Sequence, residues 1–237
     1  MAQNSPLKAA ASLVIDSLKL SIGTGRLAPG APIRQDQIAA ELGVSHIPVR
    51  EALRQLESEG LVVAAHNRGM TVAALSEAEA VELTEFRALL EAHLTSRAVP
   101  RLTDEDLAYA EALVNAIDVA PDTPEVTRLN AEFHHSLYRR ADAPYFLRAV
   151  EQARVNLGRY LIMTWGSPGQ MDRSQDDHRQ ILEACRRRDA DAASEIVERH
   201  VRATGATIVD QIRRQEQADL AKPRPQRQRR VAERSGI

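Results

Sequence analysis

Gln37-Ile-Ala-Ala-Glu-Leu-Gly-Val-Ser-His-Ile-Pro-Val-Arg-Glu-Ala-Leu-Arg-Gln-Leu-Glu-Ser-Glu-Gly-Leu61 reads as two short helices joined by a tight turn. Ile38, Ala39 and Leu42 share a face of the first helix, and Val49, Ala52, Leu53 and Leu56 a face of the second. Gly43 supplies the turn, because a residue without Cβ enters the left-handed region at little cost. Ser45 is placed to cap the second helix. His46, Ile47, Arg50 and Arg54 then lie on its exposed side. A helix-turn-helix presents a recognition helix to the DNA major groove in this way. Arg can bind guanine bidentately, Ser a phosphate or base edge, and Ile a thymine methyl. An ordinary helical hairpin with scattered surface charge is the alternative.

The flanks extend the motif. Leu13 to Ile22 has helical apolar spacing and ends in the turn-rich Gly23-Thr-Gly-Arg-Leu-Ala-Pro-Gly30. After Gly60, Leu61-Val-Val-Ala and Met70-Thr-Val72 flank His66-Asn-Arg-Gly69, a pattern that predicts a hairpin. Such a hairpin is a wing, and Arg68 and Gly69 at its tip would approach phosphates or the minor groove. The series Gly-Arg-Leu-Ala-Pro-Gly, Leu-Gly-Val-Ser-His-Ile-Pro-Val-Arg-Glu-Ala-Leu, Leu-Glu-Ser-Glu-Gly-Leu-Val and Asn-Arg-Gly resembles the DNA-binding domain of GntR-type bacterial regulators, over about residues 8 to 74. His46 stands where many such proteins carry Arg. The DNA-contact set is Arg34, Ser45, His46, Ile47, Arg50, Arg54, Arg68 and Gly69.

Composition sets the frame. The 237 residues carry a net charge of −2, with a pI near 6.4, so nucleic-acid binding must rest on a local surface. Aromatics make up only 3%, while Ala and Leu abound, which favours helices. The lone Cys185 excludes an internal disulfide and a Cys-based zinc site. On a helix it reads as a packed or semi-exposed residue rather than a redox switch. There is no apolar signal core and no run of membrane-spanning length, so the expected compartment is cytoplasmic, with no membrane partner.

Residues 1–7 read as a flexible terminus, 8–74 as the winged helix-turn-helix, 76–215 as an all-α effector, metal-binding and dimerisation domain, and 216–237 as a disordered basic tail. Ser76-Glu-Ala-Glu is a capping start. Breaks at Pro100, Pro121, Pro124, Pro144 and Gly166-Ser-Pro-Gly169 divide the second domain into helices near 76–98, 103–118, 123–140, 143–164, 170–187 and 189–215. The fold class is thus mainly α, a winged helix-turn-helix followed by a helical bundle.

Within the bundle, Asn130 and His134 are i and i+4 and share a face. His178 and His200 lie eleven residues either side of Asp189, where the chain turns. In an antiparallel hairpin both sit about 16 Å from the turn, side by side. Three such histidines suit a divalent metal; three hydrogen-bonded core histidines are the other reading. His135 points about 100° away and is not a ligand.

Asn130-Ala-Glu-Phe-His134, His178-Arg-Gln-Ile-Leu-Glu-Ala, and Arg-Asp-Ala-Asp-Ala-Ala leading to His200 resemble the FCD domain of the FadR branch of GntR regulators. The resemblance implies Asn130, His134, His178 and His200 as ligands of a divalent ion, zinc first, with nickel or manganese as alternatives. Asn stands where many relatives have Asp, which lowers the charge of the site by one unit. The resemblance also implies that Arg87 reaches a small organic-acid effector through its guanidinium fork. An Arg87–Glu91 pair on a wet helix face is the alternative. Tyr138, Arg154, Arg159 and Trp165 are further candidates for the cavity wall.

The expectation is a non-enzymatic, ligand-responsive repressor that binds a palindromic DNA operator as a homodimer. Two other readings compete: a regulator for which the cation itself is the signal, and a metallohydrolase with a DNA-binding appendage. The second lacks a placed general base and a His-Glu-x-x-His motif.

Overall fold

The computed structural model describes residues 6–65, 69–165 and 169–221. The head begins with α1 (Pro6–Gly23), then β1 (Pro32–Ile33), α2 (Gln35–Leu42), α3 (His46–Ser58), β2 (Val62–Ala65) and β3 (Gly69–Val72). Val14, Leu18 and Ile22 of α1 pack on Val49, Ala52, Leu53 and Leu56 of α3, the apolar stripes read from the sequence. Gly43 closes α2 at φ 64°, its N–H bonded to the carbonyls of Ala39 and Ala40. Ser45 is at the N-cap position of α3, but its side chain makes no cap hydrogen bond. The wing strands β2 and β3 pair antiparallel, from Val62 opposite Val72 to Ala65 opposite Gly69. Strand β1, not expected from the sequence, joins β3 and makes a three-stranded sheet in the order β1-β3-β2.

The bundle comprises α4 (Glu77–Ala98), α5 (Asp104–Asp118), α6 (Thr123–Tyr138), α7 (Pro144–Thr164), α8 (Gln170–Arg186) and α9 (Ala190–Ala221). Each break carries its local cause. Ser76 and Glu79 form a reciprocal capping box at the start of α4, and Thr103 and Asp106 one at the start of α5. Asp122 caps α6 ahead of Pro124. Arg188, at φ 57°, reverses the chain between α8 and α9. Helix α9 continues to Ala221, beyond the limit of 215 read from the loss of apolar periodicity. The remainder of the basic tail, from residue 222, lies outside the described residues.

One core runs through α4, α5, α6, α8 and α9 and includes Leu94, Val114, Phe133, Leu137, Ile181 and Val201. Cys185 belongs to it, fully buried, and burial pushes its thiol up to about 12. That thiol is packing material, not a nucleophile. Helix α4 lies against α9 at a spacing that only glycine permits. A Cβ on Gly205 would fall 2.0 Å from Cγ2 of Thr84.

Head and bundle meet along α1 and α7. Val155 of α7 packs against the head core. A Cβ on Gly158 would stand 2.5 Å from the carbonyl oxygen of Gly23. Gln152 donates to the Glu59 carbonyl at 3.3 Å, and the Leu75 N–H donates to the Tyr160 hydroxyl at 2.8 Å. Among the described residues, no helix is long and apolar enough to cross a membrane.

Candidate functional site

Three helices converge on one buried cluster. Helix α6 contributes Asn130 and His134, α8 His178, and α9 His200; all are at most 5% exposed. The ring centroids are 5.4 Å apart for His134 and His178, 5.1 Å for His134 and His200, and 4.9 Å for His178 and His200. One nitrogen from each ring lies within 4.8 Å of the other two. The facing of His178 and His200 follows from their equal distance from the turn. His135 is exposed and outside the group.

Each ring has an acceptor beside Nδ1. Gln175 Oε1 lies 2.8 Å from Nδ1 of His178. Its own amide donates to the Val114 carbonyl and to Asp118, which fixes its orientation. Asp177 Oδ2 lies 3.2 Å from Nδ1 of His200. Glu91 Oε2 approaches Nδ1 of His134 at 3.3 Å, but off the axis of a hydrogen bond. A proton held on each Nδ1 leaves Nε2 as the unprotonated atom, which in His178 lies 3.5 Å from the Ser174 hydroxyl. Burial lowers His134 to about 3 and holds His178 well below its ordinary value, so both are neutral and carry no proton for a cation to displace. Oδ1 of Asn130 is buried without a hydrogen-bond partner, one turn from His134. A neutral oxygen left unsatisfied next to three clustered imidazoles is a donor set that fits a divalent cation.

A charged layer adjoins the histidines. Arg87 and Glu91 do pair, at 2.7 Å, but not on a wet face: their side chains are 7% and 0% exposed. Arg154 Nη1 lies 3.5 Å from Glu91 and donates to the Tyr138 hydroxyl at 3.3 Å. Burial alone would raise the Glu91 carboxyl, but Arg87 and Arg154 outweigh it and hold the group below the usual carboxylate range. Two guanidiniums therefore share one carboxylate, and Nε of Arg154 has no hydrogen-bond partner. An uncompensated buried cation is costly, so the layer favours an additional anion.

Arg87 and Arg154 open onto a cavity of about 590 Å³, with Thr127 and Ala131 of α6 beside them. The histidines are not part of its wall. Tyr138 is not either; it is buried behind Arg154 and orients it. Trp165 donates to the Thr127 hydroxyl at 3.0 Å, a contact one step removed from the cavity. The Arg159 side chain lies outside what is described. Glu91, Gln175 and Asp177 escaped sequence reading as site residues. Glu91 and Gln175 carried a signal, being one helical turn from Arg87 and His178. Asp177 did not, since it serves a histidine on another helix.

On the head, Arg34, Ser45, His46, Ile47, Arg50 and Arg54 are all exposed. Arg34, His46 and Arg50 border one shallow depression with Gln35 and Gln37, and His46 lies 3.6 Å from Asp36. Gly69 is exposed at φ 73° where β3 begins. Arg68 lies outside the described residues.

A winged helix-turn-helix carried on a helical bundle with a buried polar centre defines a two-domain DNA-binding regulator. Residues 10–72 match the gntR family of bacterial regulatory proteins, and residues 82–203 match the FCD domain. The probable D-xylose utilization operon transcriptional repressor of Paenarthrobacter nicotinovorans is 32% identical over 81% of this chain and 86% of its own. The transcriptional repressor GlaR of Escherichia coli is 30% identical over 78% of this chain and 89% of its own. The solved structure of E. coli McbR/YncC superposes with a TM-score of 0.79 at 26% identity, covering 85% of this chain and 98% of that one. This chain belongs to the GntR family and is a DNA-binding transcriptional regulator with an FCD domain. The metallohydrolase reading falls away, since these relatives are regulators, not enzymes.

Proposed function

We propose that the chain binds a palindromic operator as a homodimer and that a small carboxylate, bound beside a divalent cation in the bundle, sets its operator affinity. Ser45, His46, Ile47 and Arg50 read base edges, while Arg34, Arg54, Arg68 and Gly69 add backbone or wing contacts. Asn130, His134, His178 and His200 hold the cation, with zinc as the first choice for imidazole donors. Arg87 and Arg154 receive the carboxylate. Repression relieved by the acid is the proposed sign, and the bundle carries the dimer contact.

The observation that carries this reading is the buried polar centre itself. Three imidazoles, an orphaned amide oxygen and one guanidinium in excess of carboxylate sit together in an otherwise apolar bundle. Such a centre is costly to fold unless a cation and an anion complete it. When bound, the cation would supply positive charge and open coordination positions. Glu91 would hold the His134 ring and the two arginines in place, and Gln175 and Asp177 would fix the other two rings. The ligand moves the DNA equilibrium only through its differential affinity for two arrangements of head and bundle.

Substituting Asn130→Asp tests the donor set. One added negative charge among the ligands is expected to tighten zinc binding by about tenfold or more, read by competition with a chromophoric chelator. Unchanged affinity in Asn130→Asp together with unchanged affinity in His178→Ala would remove the cation from this centre. The cation-as-signal reading has one observation in its favour, the absence of the histidines from the cavity wall. It predicts that zinc alone, with no acid, changes operator affinity.

A further inference from the structure

The cavity faced by Arg87 and Arg154 is not closed by the bundle alone. Lys19, Leu20 and Gly23 of α1, Thr24 just after it, and Glu59 at the end of α3 form the head part of its wall. At about 590 Å³ it falls within the range of drug-sized ligand pockets and exceeds what a small monocarboxylate needs.

Lys19 of α1 and Arg148 of α7 also line this space, in company with Arg128 and the carboxylates Asp16, Glu59 and Glu151. The Lys19 ammonium contacts Glu59 at 2.7 Å and is 27% exposed. With three N–H donors it retains capacity for a second acceptor. Arg148 lines the cavity from α7, its guanidinium 4.6 Å from the Tyr145 ring, and it makes no ion pair with a described residue. Helix α7 thus presents Arg154 to the buried carboxylate layer and Arg148 to the seam, while Val155 and Gly158 of the same helix lie against the head.

We infer that the effector is an extended dianion whose second anionic group is held at the head–bundle seam by Lys19 and Arg148, so that the ligand touches the DNA-binding head directly. The inference rests on the reading that the first carboxylate sits at Arg87 and Arg154. A ligand bridging both parts of the wall has a reason to discriminate between arrangements of the head, because its affinity depends on Lys19 being in place. A second carboxylate and a phosphate-type group share the required chemistry.

The test is calorimetric titration of the full-length, zinc-loaded protein with butyrate, glutarate and 4-phosphonobutyrate, and with the same series one methylene longer. Either glutarate or the phosphonate, or its longer homologue, is expected to bind about tenfold tighter than its monoanion, the scale of one added charge-assisted contact. Whichever dianion wins distinguishes carboxylate from phosphate. Lys19→Gln and Arg148→Gln are each expected to cut that preference about fivefold and leave monoanion affinity unchanged. Arg148 is exposed, so its variant keeps the test open should Lys19→Gln loosen the head. No dianion preference, no binding of any probe, or a preference that survives both substitutions overturns the inference. Binding that is indifferent to Arg87→Ala and Arg154→Ala overturns the underlying carboxylate site as well. Loss of binding in those two variants with an unaltered preference in Lys19→Gln and Arg148→Gln overturns the seam subsite alone.

Discussion

Glu91 controls the state of the buried centre because it is the one carboxylate that touches Arg87, Arg154 and His134 together. Removing its charge leaves Arg87 without its ion-pair partner and Arg154 with only Glu151 to offset it. Glu91→Gln is therefore expected to lose about 3–5 kcal/mol of stability in urea unfolding. A loss below about 1 kcal/mol would mean that water or another group already compensates the arginines. Asp106 offers a separate test. It closes the Thr103 capping box and accepts hydrogen bonds from Arg139 and Arg140. Burial opposes its charge, but those bonds prevail and hold it below its ordinary value of 3.8. The folded state then binds fewer protons than the unfolded one, so the contribution is present above about pH 4 and is lost as pH falls further. Asp106→Asn is expected to cost about 1–3 kcal/mol at pH 7, allowing for the half-exposed arginines, and the gap to the unsubstituted protein should narrow steadily as pH falls below about 4. A gap independent of pH would mean that the Asp106 charge does not carry the cost. At this scale the sequence revealed the placement of the histidines and of Asn130 through helical spacing and a symmetric turn. The burial of Glu91 was not legible, because an i, i+4 pair has the same spacing on a wet face as in a core.

Helix boundaries were legible where a chemical stop exists. Ser76, Thr103 and Asp122 cap, Gly43 and Gly60 take positive φ, and the prolines block continuation. Strand β1 was not legible, since two residues carry no alternation and pairing with β3 is decided by tertiary contact. Ser45 shows the limit of a positional rule. It occupies the N-cap with extended backbone, yet its hydroxyl bonds no helix N–H and remains exposed beside the proposed base-reading residues. The contact between α4 and α9 was equally hidden, because a glycine inside a helix reads as a weakness until a neighbour is seen against it. Gly205→Ala would drive a methyl group into Thr84, whose hydroxyl is bonded to the Ala80 carbonyl. Expected is a loss of about 1–3 kcal/mol despite the better helix propensity of alanine. Gly205→Ala paired with Thr84→Ala should recover part of it. Equal stability of Gly205→Ala and the parent would show that α4 and α9 can part without penalty.

At the scale of the whole molecule, the head and the bundle share a seam in which α7 joins the polar centre to α1. Arg154 and Val155 are adjacent in sequence; one contacts Glu91 and the other the head core. Arg154, the proposed partner of the carboxylate, is thereby one residue from the surface on which the head rests. The two-part architecture was readable from motif order and from the switch to uninterrupted helical spacing after residue 76. The cavity between the parts was not, because no sequence pattern records how two folded units lie together. Operator affinity, measured by fluorescence anisotropy on DNA selected by the protein itself from a random pool, tests the central claim most directly. Zinc-loaded and EDTA-stripped protein are each titrated with and without the carboxylate series. The account predicts that an acid weakens operator binding about tenfold or more for the zinc-loaded protein, and that EDTA or Arg87→Ala abolishes this response. An operator affinity that no acid changes, or a response that persists after both EDTA treatment and Arg87→Ala, would contradict it.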